Sequence, residues 1–157
     1  MSYLPKFGYS FQVEDPLLYV RASAREVNIS PKHARAICAA IKGLTISKAR
    51  KLLEDVIRKN VAIPYRRYHR KVPHKSSTKG YPAGGYPIKA SKVFLKLLDN
   101  LENNASFKGM NVENVVIVHA SAYKGIVIKD YIPRAFGRSS PNFHVLVHIE
   151  LVGREVS

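Results

Sequence analysis

The sequence predicts an α+β fold, in which a three-stranded antiparallel sheet packs against three helices and a long β-hairpin arm protrudes. Three observations lead to this prediction. Apolar and polar residues alternate in three segments, apolar residues recur at helical spacing in three others, and the segment 123–143 fits neither pattern. The length of 157 residues suits a single domain over 1–157 with a modest core.

The sequence predicts an extended segment, a strand and a helix in the first part of the chain. Residues 1–16 are aperiodic and bear prolines and aromatics, which is typical of an extended N-terminal segment. The strand at 17–27 has an apolar face and a basic outer face. Ser30 can cap the first helix, Pro31 begins it, and Gly43 is placed to end it. The inward residues predicted for the strand are Leu18, Val20, Ala22 and Ala24.

Two further helices flank an insertion at 64–87. Thr45 can cap the second helix, which fades near Asn60. The third helix, about 88–106, is the strongest periodic element, and Gly109 can end it. Its predicted inward face comprises Ala90, Val93, Phe94, Leu97, Leu98, Leu101 and Ala105.

The last two strands are predicted at 114–122 and 143–151. Because they are sequential, we expect them to pair antiparallel. The predicted inward residues are Val116, Val118, Ala120 and Ala122 in the earlier strand, and Phe143, Val145, Val147, Ile149 and Leu151 in the later one.

The arm at 123–143 is too long for its own body. From Tyr123 to Gly137 an extended chain reaches roughly 45 Å, whereas a domain of this length has a radius of gyration of about 15 Å. The alternation fails at 126–128, where three apolar residues are consecutive. We therefore expect the arm to project towards another surface.

The charge of the chain points to a polyanionic partner. Lys and Arg number 26 against 11 Asp and Glu, a formal net charge of +15. Nucleic acid is the first candidate partner and an acidic membrane surface the second. Between Val56 and Leu98 there is no acidic residue, and the insertion there has too few aliphatic groups to be well ordered alone. Cys38, the single cysteine, excludes an intramolecular disulfide and indicates a reducing compartment.

Arginine, lysine and tyrosine in this arrangement favour irregular RNA. Arginine binds phosphate bidentately and stacks on bases, and tyrosines offer stacking faces, which suits irregular RNA better than uniform duplex. The residues predicted to bind RNA lie on the first strand, the first helix, the insertion and the arm: Arg21, Arg25, Lys32, Arg35, Arg66, Arg67, Tyr68, Arg70, Lys71, Lys75, Lys79, Lys124, Lys129, Arg134 and Arg138.

No catalytic, metal or cofactor site is predicted. The chain has no phosphate-binding glycine loop, its carboxylates are sparse, and His119, His144 and His148 lack the ligands that would complete a metal site. Cys38 reads as a core residue. No apolar run of about 18 residues predicts a membrane span, and the start lacks the apolar segment of a signal peptide. Two alternatives stay open: a free-standing RNA-binding or RNA-chaperone protein, and an RNA-processing enzyme that uses one of the histidines.

The order of these elements resembles a known family. A basic strand at 20–25 precedes a Ser-Pro-Lys helix start at 30–32, and a helix pair and a late amphipathic helix follow. The arm then carries Pro-Arg-Ala-Phe-Gly-Arg at 133–138. Over residues 17 to 152 the chain resembles the large-subunit ribosomal protein L-twenty-two family, and the insertion resembles its archaeal and eukaryotic branch.

The resemblance implies a structural protein of the cytoplasmic large ribosomal subunit rather than an enzyme. Its implied partners are large-subunit rRNA, neighbouring ribosomal proteins and the nascent polypeptide, with no cofactor and no small-molecule substrate. The arm would line the peptide exit tunnel, and the insertion would be a second rRNA anchor. The implied tunnel-lining tip comprises Pro133, Arg134, Ala135, Phe136, Gly137 and Arg138.

Overall fold

The computed structural model describes residues 8–13, 15–78 and 80–156. As predicted, the fold is α+β with a three-stranded antiparallel sheet. In chain order the elements are β1 (Tyr19–Val27), α1 (Pro31–Ile41), α2 (Ile46–Ile57), β2 (Ile63–Pro64), β3 (Gly84–Gly85), α3 (Ile88–Phe107), a 3-10 turn (Val112–Asn114), β4 (Val115–Ile128), β5 (Tyr131–Pro133), β6 (Ser139–Pro141) and β7 (His144–Glu155).

The core lies between the sheet and the helices. Strand β7 is central in the sheet, between β1 and β4. Helix α1 packs on β4, α3 packs on β1, and α2 packs on α3. Ile37, Leu53, Phe94 and Ile149 are all fully buried there, and each such side chain stabilises the fold by about 1.5–3 kcal/mol. The predicted face of α3 is confirmed, with Val93 half-buried against the core and the other six residues buried.

The helix ends agree with those predicted from the sequence, except for one capping interaction. The Thr45 hydroxyl accepts a hydrogen bond from the Lys48 N–H at 3.4 Å, and Gly43 and Gly109 have φ of 86° and 72° after their helices. The prediction that the Ser30 hydroxyl caps α1 is wrong, because its side chain makes no capping hydrogen bond. Helix α1 begins instead on Pro31, whose ring presets a helical φ.

A β-bulge changes which face of β4 is buried. The prediction that Val116 and Val118 face the core is wrong, because Val115 and Ile117 are the fully buried residues. The register of β4 against β7 shifts between Ile117 and His119. The extra residue reverses the alternation, so the later inward positions agree with the prediction and pack on the core: Ala120 and Ala122.

Three further predicted inward positions lie outside the core: Leu18, Phe143 and the half-buried Val145. Leu18 is 43% exposed because it precedes β1, and Phe143 is 46% exposed because it belongs to the arm. The ring of Phe143 packs edge-on against Tyr131 at 5.6 Å between centroids. The central part of β7 follows the prediction, with Val147, Ile149 and Leu151 fully buried.

The arm is a protruding hairpin, as predicted. The β4–β7 ladder runs out of the body as far as the pair Ile128 and His144, and β5 and β6 then pair beyond it. Every residue from Ile128 to Ser139 is exposed. The body therefore supplies no packing surface for this part of the chain.

The insertion is tied down at its base. Strands β2 and β3 form a short antiparallel ladder, and the Tyr65 N–H donates to the Ala83 carbonyl at 3.0 Å. The Tyr65 ring is 4% exposed and meets His33 of α1 edge-on at 5.7 Å between centroids. Burial raises the pKa of Tyr65 to about 12. The insertion thus has its own aromatic anchor on the body. Among the described residues, no helix is both long and apolar enough to cross a membrane.

Candidate nucleic-acid interface

The insertion and α1 bring five predicted residues together around one cleft. Lys32 and Arg35 come from α1, and Arg66, Arg67 and Tyr68 come from the insertion. The cleft has a volume of about 490 Å³. The Tyr68 ring is 58% exposed, and the Lys32 ammonium lies 5.9 Å from its centroid. The sequence predicted these residues one by one, but not their convergence.

The remaining insertion cations extend this surface. Arg70 and Lys71 are exposed, and Lys75 is half-buried with its ammonium 5.5 Å from the Tyr86 ring centroid. Lys79, also predicted to bind RNA, lies outside the described residues. Cations beside tyrosine rings therefore recur along the insertion, an arrangement that can meet both phosphates and bases.

The outer face of β1 carries the next two predicted residues. Arg21 and Arg25 are both exposed. The Arg21 guanidinium carbon lies 5.3 Å from the Tyr9 ring centroid, so part of the N-terminal segment packs beside this strand. Arg21 lies in the regular part of β1 opposite Val152, whereas Arg25 lies at the β-bulge between Ala24 and Val27.

The arm presents its cations along its whole length. Lys124, Lys129, Arg134 and Arg138 are all exposed. The Arg134 guanidinium Nε donates to the Ser140 hydroxyl at 3.3 Å, a bond between the two legs of the hairpin. The cations of the arm are therefore displayed outwards on a paired ribbon.

The tip of the arm is a tight turn of unusual composition. The Arg138 N–H donates to the Ala135 carbonyl at 3.3 Å, and the Arg134 N–H donates to the Arg138 carbonyl at 2.8 Å. The central residues, Phe136 and Gly137, have φ of 56° and 65°. Two successive positive φ values are characteristic of the type I′ hairpin turn, which favours glycine and asparagine. Phe136 adopts this unfavourable backbone conformation although its side chain is 99% exposed.

The acidic residues of α3 do not neutralise the cations of the insertion. Asp99 and Glu102 of α3 both bind Arg50 of α2, at 2.6 Å and 2.5 Å. The insertion contains no carboxylate of its own. Its positive field is therefore not neutralised within the segment.

A buried carboxylate on β7 organises a polar cluster that the sequence did not reveal. Glu150 is 1% exposed and accepts hydrogen bonds from the Ser10 N–H at 3.2 Å and the Tyr123 hydroxyl at 2.9 Å. It also contacts the Ser10 hydroxyl, and His119 Nε2 lies 2.9 Å from its Oε1. Burial alone would raise the pKa of Glu150, but the hydrogen bonds from Ser10, His119 and Tyr123 outweigh it and lower the pKa.

The geometry of this cluster does not match a catalytic relay. In a Ser-His-Asp relay the two ring nitrogens of the histidine serve different partners. Here both the Ser10 hydroxyl and Glu150 contact Nε2 of His119. The cluster instead ties the N-terminal segment to the sheet, so His119 has a structural role.

The other two histidines lie elsewhere. His148 Nε2 is 3.1 Å from Glu26 Oε1 near the base of the arm, and His144 lies in the arm. Within the described part of the chain, no group of three or more His, Cys, Asp or Glu side chains is placed to hold a metal. Cys38 is buried in the core, and burial raises the pKa of its thiol to about 12.

The fold and this surface define a basic α+β protein whose cations, aromatic rings and hairpin arm face outwards. The chain matches the family described as ribosomal protein L22p/L17e over residues 22–154. It is 55% identical to large ribosomal subunit protein uL22 of Cenarchaeum symbiosum, over 95% of this chain and 97% of the relative. The corresponding protein of Archaeoglobus fulgidus is 50% identical, over 95% and 96%. That of Methanocaldococcus jannaschii is 45% identical, over 99% of each.

The chain therefore belongs to the ribosomal protein L22p/L17e family. These relatives are archaeal, in agreement with the archaeal-type insertion. Membership confirms that the chain is a structural, non-enzymatic protein of the large ribosomal subunit, located in the cytoplasm.

Proposed function

We propose that the chain binds large-subunit rRNA through the insertion, the outer face of β1 and the arm, supports the assembly of the subunit, and lines the nascent-peptide exit tunnel with its tip. The observation that carries this proposal is the arm, because it is exposed from Ile128 to Ser139 and bears cations on both legs. An arm that its own body does not cover needs another surface.

Electrostatics support RNA as that surface. The formal net charge of +15 makes the isolated chain repel itself, and the carboxylates of α3 are engaged by Arg50 rather than by the insertion. Phosphates that bind the exposed arginines and lysines relieve this repulsion and release counterions. Where rRNA segments meet, such neutralisation stabilises their packing. Neighbouring large-subunit proteins are the further partners.

The tip favours a role at a narrow passage. Phe136 is almost fully exposed at the end of the arm, flanked by two arginines that can hold RNA on either side. A turn of this kind can present an apolar ring to a passing polypeptide while Arg134 and Arg138 fix the ribbon to the wall.

Replacing residues 129–143 by an Asn-Gly turn tests the role of the arm, because Ile128 and His144 are the last ladder pair of the body. We expect a melting temperature close to that of the wild type. Affinity for an archaeal large-subunit rRNA transcript should fall, with a shallower dependence on salt concentration. Unfolding of the body, or unchanged rRNA affinity, contradicts the proposal.

A photoreactive residue at position 136 tests the tunnel role. In ribosomes that carry a stalled nascent chain, we expect cross-links from this position to the nascent peptide. The same residue at Glu54, which is exposed on α2, serves as the matched control and should give none. Equal yields at the two positions contradict a tunnel-lining tip. Sedimentation with the large subunit through a moderate-salt wash separates this proposal from a free-standing RNA chaperone.

A further inference from the structure

We propose that the cleft between α1 and the insertion holds one unstacked nucleotide of the rRNA, with its base on the apolar floor and its phosphates on the basic rim. This inference rests on the proposed rRNA binding and names the ligand of one part of that surface. It assigns the cleft to a single extruded nucleotide rather than to duplex RNA.

The floor of the cleft is formed by apolar side chains, several of them small. Ala36, Ala39 and Ala40 of α1 line it, together with Leu52 of α2 and Ile63 of β2. Alanine side chains end at Cβ, so the helix surface there leaves space that larger residues would fill. At about 490 Å³ the cleft lies in the range of small-ligand pockets, roughly 300–1,000 Å³. It therefore suits one base with its sugar.

The rim of the cleft has a single sign of charge. Lys32, Arg35, Arg66 and Arg67 line it, and none of the described residues that line the cleft is a carboxylate. A purely apolar ligand would leave these four cations without a counter-charge. A nucleotide satisfies both parts at once, because its base is a flat apolar face and its phosphate is an anion.

Tyr68 is held at the mouth in a conformation that few residues adopt. Its φ is 56°, in the left-handed region, where a bulky residue persists only if its surroundings fix it. Its ring is 58% exposed beside the Lys32 ammonium. An exposed ring next to a cation is a stacking platform for an RNA base.

The insertion wall is packed well enough to be a preformed side of the cleft. The Thr78 hydroxyl donates to the carbonyls of Lys75 or Tyr81, each at 2.6 Å, and the Ala62 N–H donates to the Ser77 hydroxyl at 3.1 Å. Both Ser77 and Thr78 line the cleft. A preformed wall reduces the ordering cost of binding.

The test fills the cleft without changing its charge. Ala39 is exposed on α1, so Ala39→Leu should fold normally. Asn103→Leu, at an exposed position of α3 outside the cleft, is the matched control. Binding of the full chain to an archaeal large-subunit rRNA transcript is measured over a range of salt concentrations. Chemical probing of unpaired nucleotides reports which are protected.

We expect Ala39→Leu and Tyr68→Ala each to weaken binding by about tenfold, as the loss of one stacked base does. Each should leave the salt dependence unchanged and remove protection at the same unpaired nucleotide, whereas Asn103→Leu should behave as wild type. The double variant Arg66→Gln, Arg67→Gln should instead make the salt dependence shallower.

The nucleotide proposal is overturned if Ala39→Leu binds the rRNA transcript within twofold of the wild type and leaves the protection intact. It is also overturned if a peptide occupies the cleft and rRNA binding is unchanged. In either case a loss in the double arginine variant keeps the proposed rRNA binding in place. If none of the variants affects binding, the nucleotide cleft and the insertion's part in rRNA binding both fail, and replacement of the arm separately decides the rest of the proposed function. Should Ala39→Leu lower the melting temperature markedly, Tyr68→Ala decides by the same criteria.

Discussion

Replacing Glu150 by glutamine should destabilise the protein strongly, although the two side chains have nearly the same size and shape. The carboxylate is 1% exposed and is held by Ser10, His119 and Tyr123. A hydrogen bond to a charged group contributes about 1.5–3 kcal/mol. A glutamine amide in the same place carries no charge, and its NH₂ group would face the hydrogen-bond donors that now bind the carboxylate. We expect a loss of about 2–4 kcal/mol in the free energy of unfolding. For a chain of this size that corresponds to a melting temperature lower by roughly 5–15 °C.

The assay is denaturant unfolding at neutral pH, repeated at successively lower pH. Glu54→Gln, at an exposed position of α2, is the matched control and should change stability by less than about 0.5 kcal/mol. Because the pKa of Glu150 is lowered in the folded protein, its stabilisation is complete above the ordinary glutamate pKa of 4.5. It is lost as the pH falls through the lower folded value.

The advantage of the wild type over Glu150→Gln should therefore be constant near neutral pH and shrink in acid. A difference below about 0.5 kcal/mol at pH 7 would refute the assigned role of the cluster. A large difference that persists unchanged at pH 3 would show that the carboxylate charge is not its source.

Three further predictions concern single positions. Gly84→Ala should loosen the insertion, because a Cβ there would lie 2.6 Å from Thr78 Cγ2; faster proteolysis between 64 and 84 than in the wild type is the expected result. The Cys38 thiol, with its pKa raised to about 12, should resist alkylation at pH 8 in the native protein and react in denaturant, as mass spectrometry can measure. Phe136→Asn should relieve about 1 kcal/mol of backbone strain at the tip; slower amide hydrogen exchange in β5 and β6 is the expected sign, and unchanged exchange would contradict it.

The regular elements were predictable because their patterns are local. The face of α3 repeats with the helical period over five turns, and Thr45 and Gly43 carry their end signals within a few residues. A bulge is different, because it has no local pattern of its own in the sequence. The extra residue between Ile117 and His119 nevertheless reverses which face of β4 is buried.

The polar cluster and the cleft were not predictable, because their members come from distant parts of the chain. Glu150 reads as an outward strand residue until Ser10, 140 positions away, is placed beside it. The cleft needs α1 and the insertion to meet. Beyond its cations and Tyr68, the sequence signal for the cleft is a set of small residues on α1, of which Ala39 is exposed and Ala36 and Ala40 are half-buried.

The continuity of β4 and β7 from the core into the arm limits how this protein can vary in length. The lower part of the arm extends paired strands, so removing one residue from one leg flips the side chains beyond it unless a bulge, such as the one between Lys124 and Val127, absorbs the change. Removing two residues from each leg together preserves the facing of the remaining ladder without a new bulge. Each such step shortens the arm by about 6.8 Å. We therefore expect related chains to differ in arm length mostly by paired, even-numbered changes, and an odd change to be accompanied by a bulge.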